Sequence, residues 1–427
     1  MRNVLIICYE FSDLNQTGAL RVNGLAKFLP NFGWKPVILT ATSNTKTASK
    51  IEVIEADCED LATRWKRRLA INTKKSIKEQ FNIKTSKKQN NSLDKLLIYW
   101  QDIFAYPDQF SGWRDSAAKL LDELISGKHF DAMISSVPPW TGHLIACDIK
   151  KKYNIPWIAD FRDLWSQNTA AYEHTRFRRI FDKRLEKKTL YFADTITTVS
   201  QPHAEILKQL HAGKKVCSIP NGFDPSQKNP GTPLSEKFTI THTGFLYGGI
   251  RHPEPLFKAI RNLISGGLID PKDLSIEFYG VKEDWLEEDA RKYGLETIVK
   301  SYGVVSRKTC IEKQRQSHML LHLSLGNAKE KGHYSAKVFD YLAAERPILS
   351  IGLPGDVADD LINKTRSGFH GAKTEDLMRV IHNAYNEYKS KMHPSYNGIP
   401  SEIDKYSHVE MARKFSLVLD KCVNKNN

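Results

Sequence analysis

Short apolar segments and amphipathic segments alternate along this chain, and the alternation limits the folds it can adopt. In the first half, strand patterns such as Val4–Cys8 and Ala132–Ser135 are followed by helix patterns such as Ala19–Phe32 and Thr141–Lys152. Strands that alternate with helices form parallel sheets, because each helix carries the chain back to the same end of the sheet. The pattern predicts an α/β protein with doubly wound parallel sheets.

The alternation pauses and restarts near the middle of the chain, which indicates two domains. The turn residues of Pro220–Asp224 precede a polar connection, and a new strand pattern starts at Phe238. A chain of 427 residues is also longer than one core usually organises. We therefore predict two Rossmann-like domains facing a central cleft: residues 1–225, a linker over 226–236, residues 237–402, and a terminal helix over 403–427 that packs back on the first domain.

Cysteine content and hydropathy narrow the classes of protein further. The six cysteines are scattered, without a CxxC pair, so the sequence predicts neither a disulfide framework nor a zinc site. The opening apolar run is too short for a signal peptide, and no run approaches the length of a membrane-spanning helix. We expect a cytoplasmic protein.

The formal net charge of +14 favours an anionic partner, with a role in solubility as the alternative. No signature of a nucleic-acid-binding module is visible, so we expect no nucleic acid partner. Phosphorylated substrates and an anionic membrane surface both fit the charge.

One strongly basic segment interrupts the alternation. Arg64–Lys88, inside an insertion spanning residues 63–92, contains ten basic residues and one acid, Glu79, with apolar residues interleaved. This composition favours contact with an anionic membrane surface, as in a protein peripheral to the inner membrane face. A solvated insertion is the alternative. A second basic stretch, Arg176–Lys188, belongs to the same half.

Charged residues follow the strand pattern at Trp157. Asp160 and Asp163 flank Arg162 where the predicted strand ends. The carboxyl ends of parallel strands line the ligand crevice of such sheets, and an arginine there can hold an anionic group. Arg162 and Asp163 are therefore candidate catalytic residues. The alternative is a structural cluster of salt bridges.

Two other junctions in the first half carry candidate site residues. His143 falls in the first turn of a predicted helix capped by Thr141, where the helix dipole disfavours the imidazolium. A neutral imidazole could hydrogen-bond a substrate hydroxyl, so His143 is a third catalytic candidate, although a structural histidine fits as well. Gly18, between a strand and a helix, would let backbone amides approach a phosphate or sugar.

The second half contains a predicted diphosphate cradle. Gly244 opens a glycine-rich loop that ends near Arg251, and Tyr334, Ser335 and Lys337 lead into a later helix. Free amides at the helix N-terminus and the two cations suit a diphosphate. Neither loop has the spacing of the common nucleotide-binding motifs.

Asp340 lies one turn beyond Lys337 on the same predicted helix. A carboxylate can accept hydrogen bonds from a vicinal diol such as that of a ribose. The alternative is an intrahelical ion pair between Lys337 and Asp340.

These segments together resemble the family 4-like glycosyltransferases of the GT-B fold, especially bacterial enzymes of surface-polysaccharide and lipopolysaccharide synthesis. The resemblance covers essentially the whole chain. It is carried by the order and spacing of the following segments: Val4–Tyr9, Gly18–Val22, Ser136–Pro139, Trp157–Trp165, Ala193–Ser200, Ile219–Asp224 and Lys337–Leu349.

The resemblance implies a nucleotide-sugar donor on the C-terminal domain and an acceptor on the N-terminal domain. It further implies a retaining transfer without a metal or other cofactor, in which cations and helix N-termini stabilise the leaving diphosphate. Asp340 falls where the family has the second glutamate of an E-x7-E motif, which contacts the ribose. The first glutamate falls at Gly332 and is absent, and the family's Arg…Lys pair is reduced to Arg251, with His252 beside it.

We therefore expect a glycosyltransferase that moves a sugar from a nucleotide-sugar donor to a polysaccharide or lipid-linked acceptor at the cytoplasmic membrane face. The expected donor-binding residues are Gly18, Gly244, Arg251, Tyr334, Ser335, Lys337 and Asp340. Two alternatives remain open: a sugar-nucleotide 2-epimerase on the same fold, and a non-catalytic nucleotide-sugar-binding protein.

Overall fold

The structure is a computed structural model that describes residues 1–13, 17–42, 51–58, 106–168, 175–324, 332–352, 354–371 and 373–424. The basic segment Arg64–Lys88 lies outside the described residues, so its predicted membrane contact stays a prediction. Within these ranges, no helix is both long and apolar enough to cross a membrane.

The chain alternates strands and helices in both halves. The strands are Arg2–Cys8 (β1), Trp34–Ala41 (β2), Glu52–Ala56 (β3), Ala132–Val137 (β4), Trp157–Phe161 (β5), Thr195–Thr198 (β6), Lys215–Ser218 (β7), Phe238–Thr243 (β8), Leu274–Tyr279 (β9), Val299–Gly303 (β10), Met319–Leu323 (β11), Ile348–Ile351 (β12) and Gly368–Gly371 (β13). The helices are Thr17–Phe28 (α1), Gly112–Gly127 (α2), Thr141–Tyr153 (α3), Arg176–Leu190 (α4), Gln201–Leu210 (α5), Glu254–Ser265 (α6), Asp284–Lys292 (α7), Arg307–Gln316 (α8), Ala336–Ala344 (α9), Val357–Thr365 (α10), Thr374–Lys391 (α11), Pro400–Ile403 (α12) and His408–Val423 (α13).

The chain divides into two compact units. One consists of Met1–Ile219 together with Arg413–Asn427, and the other is Pro220–Ala412. The division falls six residues before the end of the predicted first domain at residue 225.

The first unit is built on a seven-stranded parallel sheet in the order β3-β2-β1-β4-β5-β6-β7. Strands such as β1 and β4 are buried on both faces, as expected where helices cover both sides of a parallel sheet. The strand order reverses between β1 and β4. Crevices beyond the carboxyl ends of strands at such a reversal are where doubly wound sheets bind ligands.

The second unit repeats the plan with a six-stranded parallel sheet in the order β10-β9-β8-β11-β12-β13. Its reversal point lies between β8 and β11. The predicted doubly wound α/β architecture of two Rossmann-like domains is therefore confirmed.

The C-terminal part of α13 completes the first unit. Asp420 accepts hydrogen bonds from the Arg2 guanidinium and, at 3.0 Å, from the Trp34 indole. Cys422 Sγ lies 3.2 Å from the Thr195 hydroxyl on β6. These contacts tie the end of the helix to β1, β2 and β6.

Candidate active site

Asp160, near the end of β5, forms a closed ion pair with Arg21 of α1. Both side chains are at most 1% exposed, and the guanidinium donates to the two carboxylate oxygens at 2.9 and 2.8 Å. The hydroxyls of Ser136 and Thr197 donate to the same carboxylate, each at 2.8 Å. Burial alone would raise the pKa of Asp160, but Arg21 and the hydroxyls outweigh it, so the pKa is lowered. For Asp160, the structure has the salt-bridge arrangement that the sequence left open as the alternative.

Arg162 lies at the carboxyl ends of β1, β4 and β5. Its guanidinium donates to the Val137 carbonyl at 3.2 Å and to the Pro138 carbonyl. A β-carbon on Gly18 would lie 1.9 Å from Arg162 Nη1 and 2.6 Å from Glu10 Oε2. Position 18 therefore requires a glycine because the Arg162 side chain, beside Glu10, takes the space that a β-carbon would occupy.

Glu10 was not among the sequence candidates, although it lies two residues after the end of β1. Burial raises its pKa, and the nearby Arg162 charge opposes that rise. The structure therefore brings Gly18, Arg162 and Glu10 together. Asp163 follows in the turn after β5 and is half-buried.

His143 is fully buried in the first turn of α3. Its Nδ1 lies 2.7 Å from the Ser135 hydroxyl, which accepts a hydrogen bond from the Trp157 indole at 2.8 Å. Ser135 can donate its own hydrogen to Nδ1, an arrangement in which Nε2 carries the ring hydrogen. Among the described residues, Nε2 has no hydrogen-bond partner.

Burial lowers the pKa of His143 to about 3, although the Asp160 charge opposes the shift. The imidazole is thus neutral, and the main cause of the lowered pKa is burial, where the sequence had suggested the helix dipole. Thr141 is not the cap of α3, because the helix begins at Thr141 itself. Asp108 satisfies this terminus by accepting from the Thr141 amide at 2.8 Å and hydroxyl at 2.7 Å.

In the second unit, the structure brings Gly244 and Lys337 together. Gly244 follows β8 with φ at +107°, and its amide donates to the Tyr279 carbonyl at 2.7 Å. A β-carbon at position 244 would lie 2.9 Å from Lys337 Nζ. Both the backbone angle and the space taken by the lysine therefore favour glycine here.

The Lys337 ammonium lies in a basic environment. Its Nζ is 3.3 Å from His242 Nε2, and His242 Nδ1 donates to the Leu321 carbonyl at 2.9 Å. Burial, followed by the nearby Arg251 charge, holds the pKa of Lys337 well below its usual range. Burial and these cations also lower the pKa of His322 to about 3. Among the described residues, Lys337 makes no ion pair.

Lys337 sits in the first turn of α9, whose N-terminus has no side-chain cap. Ser335 occupies the cap position, but its hydroxyl makes no capping hydrogen bond within the described residues. The amides of the first turn are therefore not satisfied by a cap. Tyr334 precedes this turn and packs on Phe339, with ring centroids 5.4 Å apart. Burial raises the pKa of Tyr334.

Arg251 is buried, and its guanidinium lies 4.8 Å from the Tyr247 ring. The structure therefore groups Gly244, Arg251, Lys337 and the start of α9 beyond the carboxyl ends of β8 and β11. This is the reversal point of the second sheet, and the grouping is suited to an anion.

Asp340 pairs with a residue that the sequence did not indicate. Arg307, at the start of α8, donates to the two carboxylate oxygens at 2.7 and 3.2 Å. Burial would lower the pKa of Arg307, but Asp340 outweighs it and the pKa is raised. The intrahelical pair with Lys337, which the sequence left open, is replaced by this contact.

Comparisons with known proteins agree with this architecture. Residues 97–227 match the model of Glycosyltransferase Family 4. No curated protein matches the chain.

Similar solved structures extend over the full chain. Anabaena Alr3699/HepE, solved with UDP and glucose, is 12% identical with a TM-score of 0.62, covering 99% of this chain and 100% of that one. Sucrose-phosphate synthase from Thermosynechococcus elongatus is 11% identical with a TM-score of 0.57, covering 100% and 97%. WaaG, a glycosyltransferase involved in lipopolysaccharide biosynthesis, is 11% identical with a TM-score of 0.56, covering 97% and 99%.

The full-length similarity defines the class, which is the GT-B fold with its two Rossmann-like units. With the family match at residues 97–227, the predicted resemblance to the family 4-like glycosyltransferases is confirmed, and these comparisons indicate a glycosyltransferase enzyme.

Proposed function

We propose that this glycosyltransferase binds the diphosphate of a nucleotide-sugar donor on its second unit. It transfers the sugar, with retention and without a metal, to a polysaccharide or lipid-linked acceptor at the cytoplasmic face of a membrane. The observation that carries the donor site is Lys337, an ammonium without an ion pair among the described residues, placed at an uncapped helix N-terminus.

A diphosphate would supply negative charge and hydrogen-bond acceptors to this group of residues. Its charge would pair with Lys337 and Arg251, and its oxygens could accept hydrogen bonds from the first amides of α9. Gly244 leaves room for the lysine to reach this position. The same cations would stabilise the charge that develops on the leaving diphosphate, a role that a metal ion performs in other transferases.

Retention rests on the resemblance to family 4-like enzymes. In a front-face transfer, the bond from the anomeric carbon to the diphosphate oxygen breaks, and the acceptor hydroxyl bonds to the same face of that carbon. The acceptor proton passes to the leaving phosphate oxygen, so the chain needs no separate general base. His143 is too weakly basic to take that proton, and its neutral Nε2 is suited to hydrogen bonding instead.

The sugar and acceptor classes are supported by similarity. Anabaena HepE was solved with UDP and glucose, and WaaG is a glycosyltransferase of lipopolysaccharide biosynthesis. A uridine diphosphate sugar and a surface-glycan acceptor are therefore the first substrates to test.

Calorimetric titration with UDP, GDP and their sugars, in the presence of EDTA, tests the donor site. We expect one nucleoside diphosphate to bind without metal and Arg251→Ala to weaken that binding about tenfold or more, since it removes a charge-assisted contact. Absence of nucleotide binding in the intact chain would overturn the proposal.

Nuclear magnetic resonance of the product distinguishes the remaining points. An anomeric configuration identical to that of the donor supports retention, and an inverted one contradicts it. Isomerisation of a nucleotide sugar in the absence of any acceptor would indicate the 2-epimerase instead.

A further inference from the structure

The solvent-facing side of α4 has an unusual composition. Its large apolar side chains are strongly exposed: Phe177 by 77%, Ile180 by 51% and Phe181 by 54%. Tyr191, directly after the helix, is 72% exposed. Among the described side chains of this helix, the other exposed ones are all basic: Arg179, Lys183, Arg184, Lys187 and Lys188.

The two acids of α4 cannot balance these charges, because both face inward. Asp182 is buried and receives hydrogen bonds from Arg178 at 3.0 and 3.1 Å. Glu186 is buried as well and lies 3.1 Å from His211 Nε2. The exposed side of the helix therefore presents five cations and no carboxylate.

The end of this surface is extended by a lysine from outside the helix. Lys214 donates to the Tyr191 carbonyl at 2.5 Å and lies 5.6 Å from the Tyr191 ring. An aromatic side chain with a polar tip, flanked by lysine, suits the boundary between water and lipid.

Isolated exposed apolar residues are ordinary, but here they share one side of one helix with five cations. Helical spacing explains the arrangement, since Ile180 and Phe181 lie three and four residues after Phe177 and so fall on the same side of the helix. Leaving such side chains in water is unfavourable, in proportion to their apolar area.

We propose that this surface of α4 lies on an anionic lipid bilayer. The surface consists of Phe177, Arg179, Ile180, Phe181, Lys183, Arg184, Lys187, Lys188 and Tyr191. The cations contact lipid phosphates, and the apolar side chains enter the boundary between headgroups and acyl chains. The long stems of lysine and arginine allow both kinds of contact from one side of a helix.

The apolar residues favour lipid over other anionic partners. A nucleic acid backbone would pair with the cations but would leave Ile180 and the phenylalanines in water. This inference depends on the proposed function only for its purpose, which is to bring the enzyme to a membrane-borne acceptor.

Sedimentation of the full chain with vesicles of phosphatidylcholine and phosphatidylglycerol tests the inference. The charge variant carries Lys183→Gln, Arg184→Gln, Lys187→Gln and Lys188→Gln. Its matched control loses four exposed lysines elsewhere, by Lys35→Gln, Lys119→Gln, Lys292→Gln and Lys364→Gln. We expect the charge variant to lose about fivefold in partitioning for each removed cation, and the control to lose much less.

The apolar contribution has its own variant. Phe177→Ser with Phe181→Ser should weaken partitioning about tenfold or more, whereas Leu268→Ser with Met392→Ser, at exposed sites of the other unit, should not. Added salt should release the wild-type protein from the vesicles, because screening weakens the attraction of the cations to the lipid phosphates.

Several outcomes overturn the inference. The inference is wrong if the wild type and both α4 variants bind the vesicles equally. It is also wrong if the wild type binds vesicles of pure phosphatidylcholine as well as vesicles that contain phosphatidylglycerol. Absence of vesicle binding together with tight binding to RNA or heparin would assign the surface to another polyanion. Nucleotide binding, measured on the same samples, reports on the donor site separately, so either proposal can fail without the other.

Discussion

Replacing Lys337 with methionine should change stability and donor binding in opposite directions. The ammonium is held beside Gly244, with His242 Nε2 at 3.3 Å and the Arg251 charge nearby, and makes no ion pair among the described residues. Methionine keeps most of the volume and removes the charge. The protein without ligand should then be more stable, while nucleotide binding should be weaker.

The magnitudes follow from these contacts. Removing a poorly solvated charge raises the free energy of unfolding, and losing the hydrogen bond to His242 lowers it by about 1 kcal/mol. We expect the variant to be more stable by about 1–2 kcal/mol, a size typical of substitutions that relieve a strained functional site. The diphosphate should lose a charge-assisted contact worth about 1.5–3 kcal/mol, a tenfold to hundredfold rise in Kd.

The pH dependence gives a second measurement of the same effect. The pKa of Lys337 is lowered in the folded chain, so between that pKa and the usual value of about 10.4 the unfolded chain binds more protons. Wild-type stability from this group therefore rises with pH across that window. The advantage of Lys337→Met should be largest below the folded-state pKa and should disappear as the pH approaches about 10.4.

Urea unfolding across pH and calorimetric titration with the bound nucleoside diphosphate measure both effects. Lys364→Met, at an exposed site in the same unit, is the matched control and should change neither. A Lys337→Met variant that is less stable yet binds nucleotide as well as wild type would refute the reasoning and make the lysine structural.

Three further predictions concern other parts of the chain. Asp160→Ala should lower the free energy of unfolding by about 3–5 kcal/mol in a urea titration at neutral pH, because it removes the buried carboxylate that pairs with the Arg21 charge. Since the pKa of Asp160 is lowered, the wild type should lose this contribution as the pH falls through the folded-state value, and a variant whose stability falls with acid as steeply as that of the wild type would contradict the assignment. Asp340→Ala should weaken the binding of ribonucleotides more than that of their deoxyribose analogues, as measured by calorimetry. Equal losses of affinity would mean that Asp340 has only its structural pair with Arg307. Replacing Arg64–Lys88 with a neutral linker should reduce salt-sensitive binding to anionic vesicles and spare activity on a soluble acceptor, and vesicle binding indifferent to the replacement would exclude a tether.

The alternation of elements was readable from the sequence because buried parallel strands are continuous apolar runs. Two strands were missed, β3 and β13, and both lie at edges of their sheets. β3 contains glutamates and is partly exposed, and β13 is only four residues long with two glycines. Edge strands of this kind have no strong apolar pattern.

The sequence indicated where residues of the candidate site lie along the chain, but it indicated few of the contacts between their side chains. The junctions after β8 and before α9 supply Gly244 and Lys337, which the structure places together. The partners of the carboxylates were not readable, because Arg21 is 139 residues from Asp160 and Arg307 is 33 residues from Asp340. One sequence does not show which distant charges meet. Gly18 was predicted to let backbone amides approach a phosphate or sugar, and in the structure the group close to it is the Arg162 side chain.

The first unit is formed by two segments that are far apart in the chain, and this affects how the protein is made and redesigned. Arg413–Asn427, which binds Arg2 and Trp34 through Asp420, leaves the ribosome only after all of Pro220–Ala412. The first unit is therefore incomplete until the second unit has been synthesised. A chimera that exchanges the first unit for that of another transferase would need to carry Met1–Ile219 and Arg413–Asn427 together, because either segment alone would leave its counterpart with a mismatched partner.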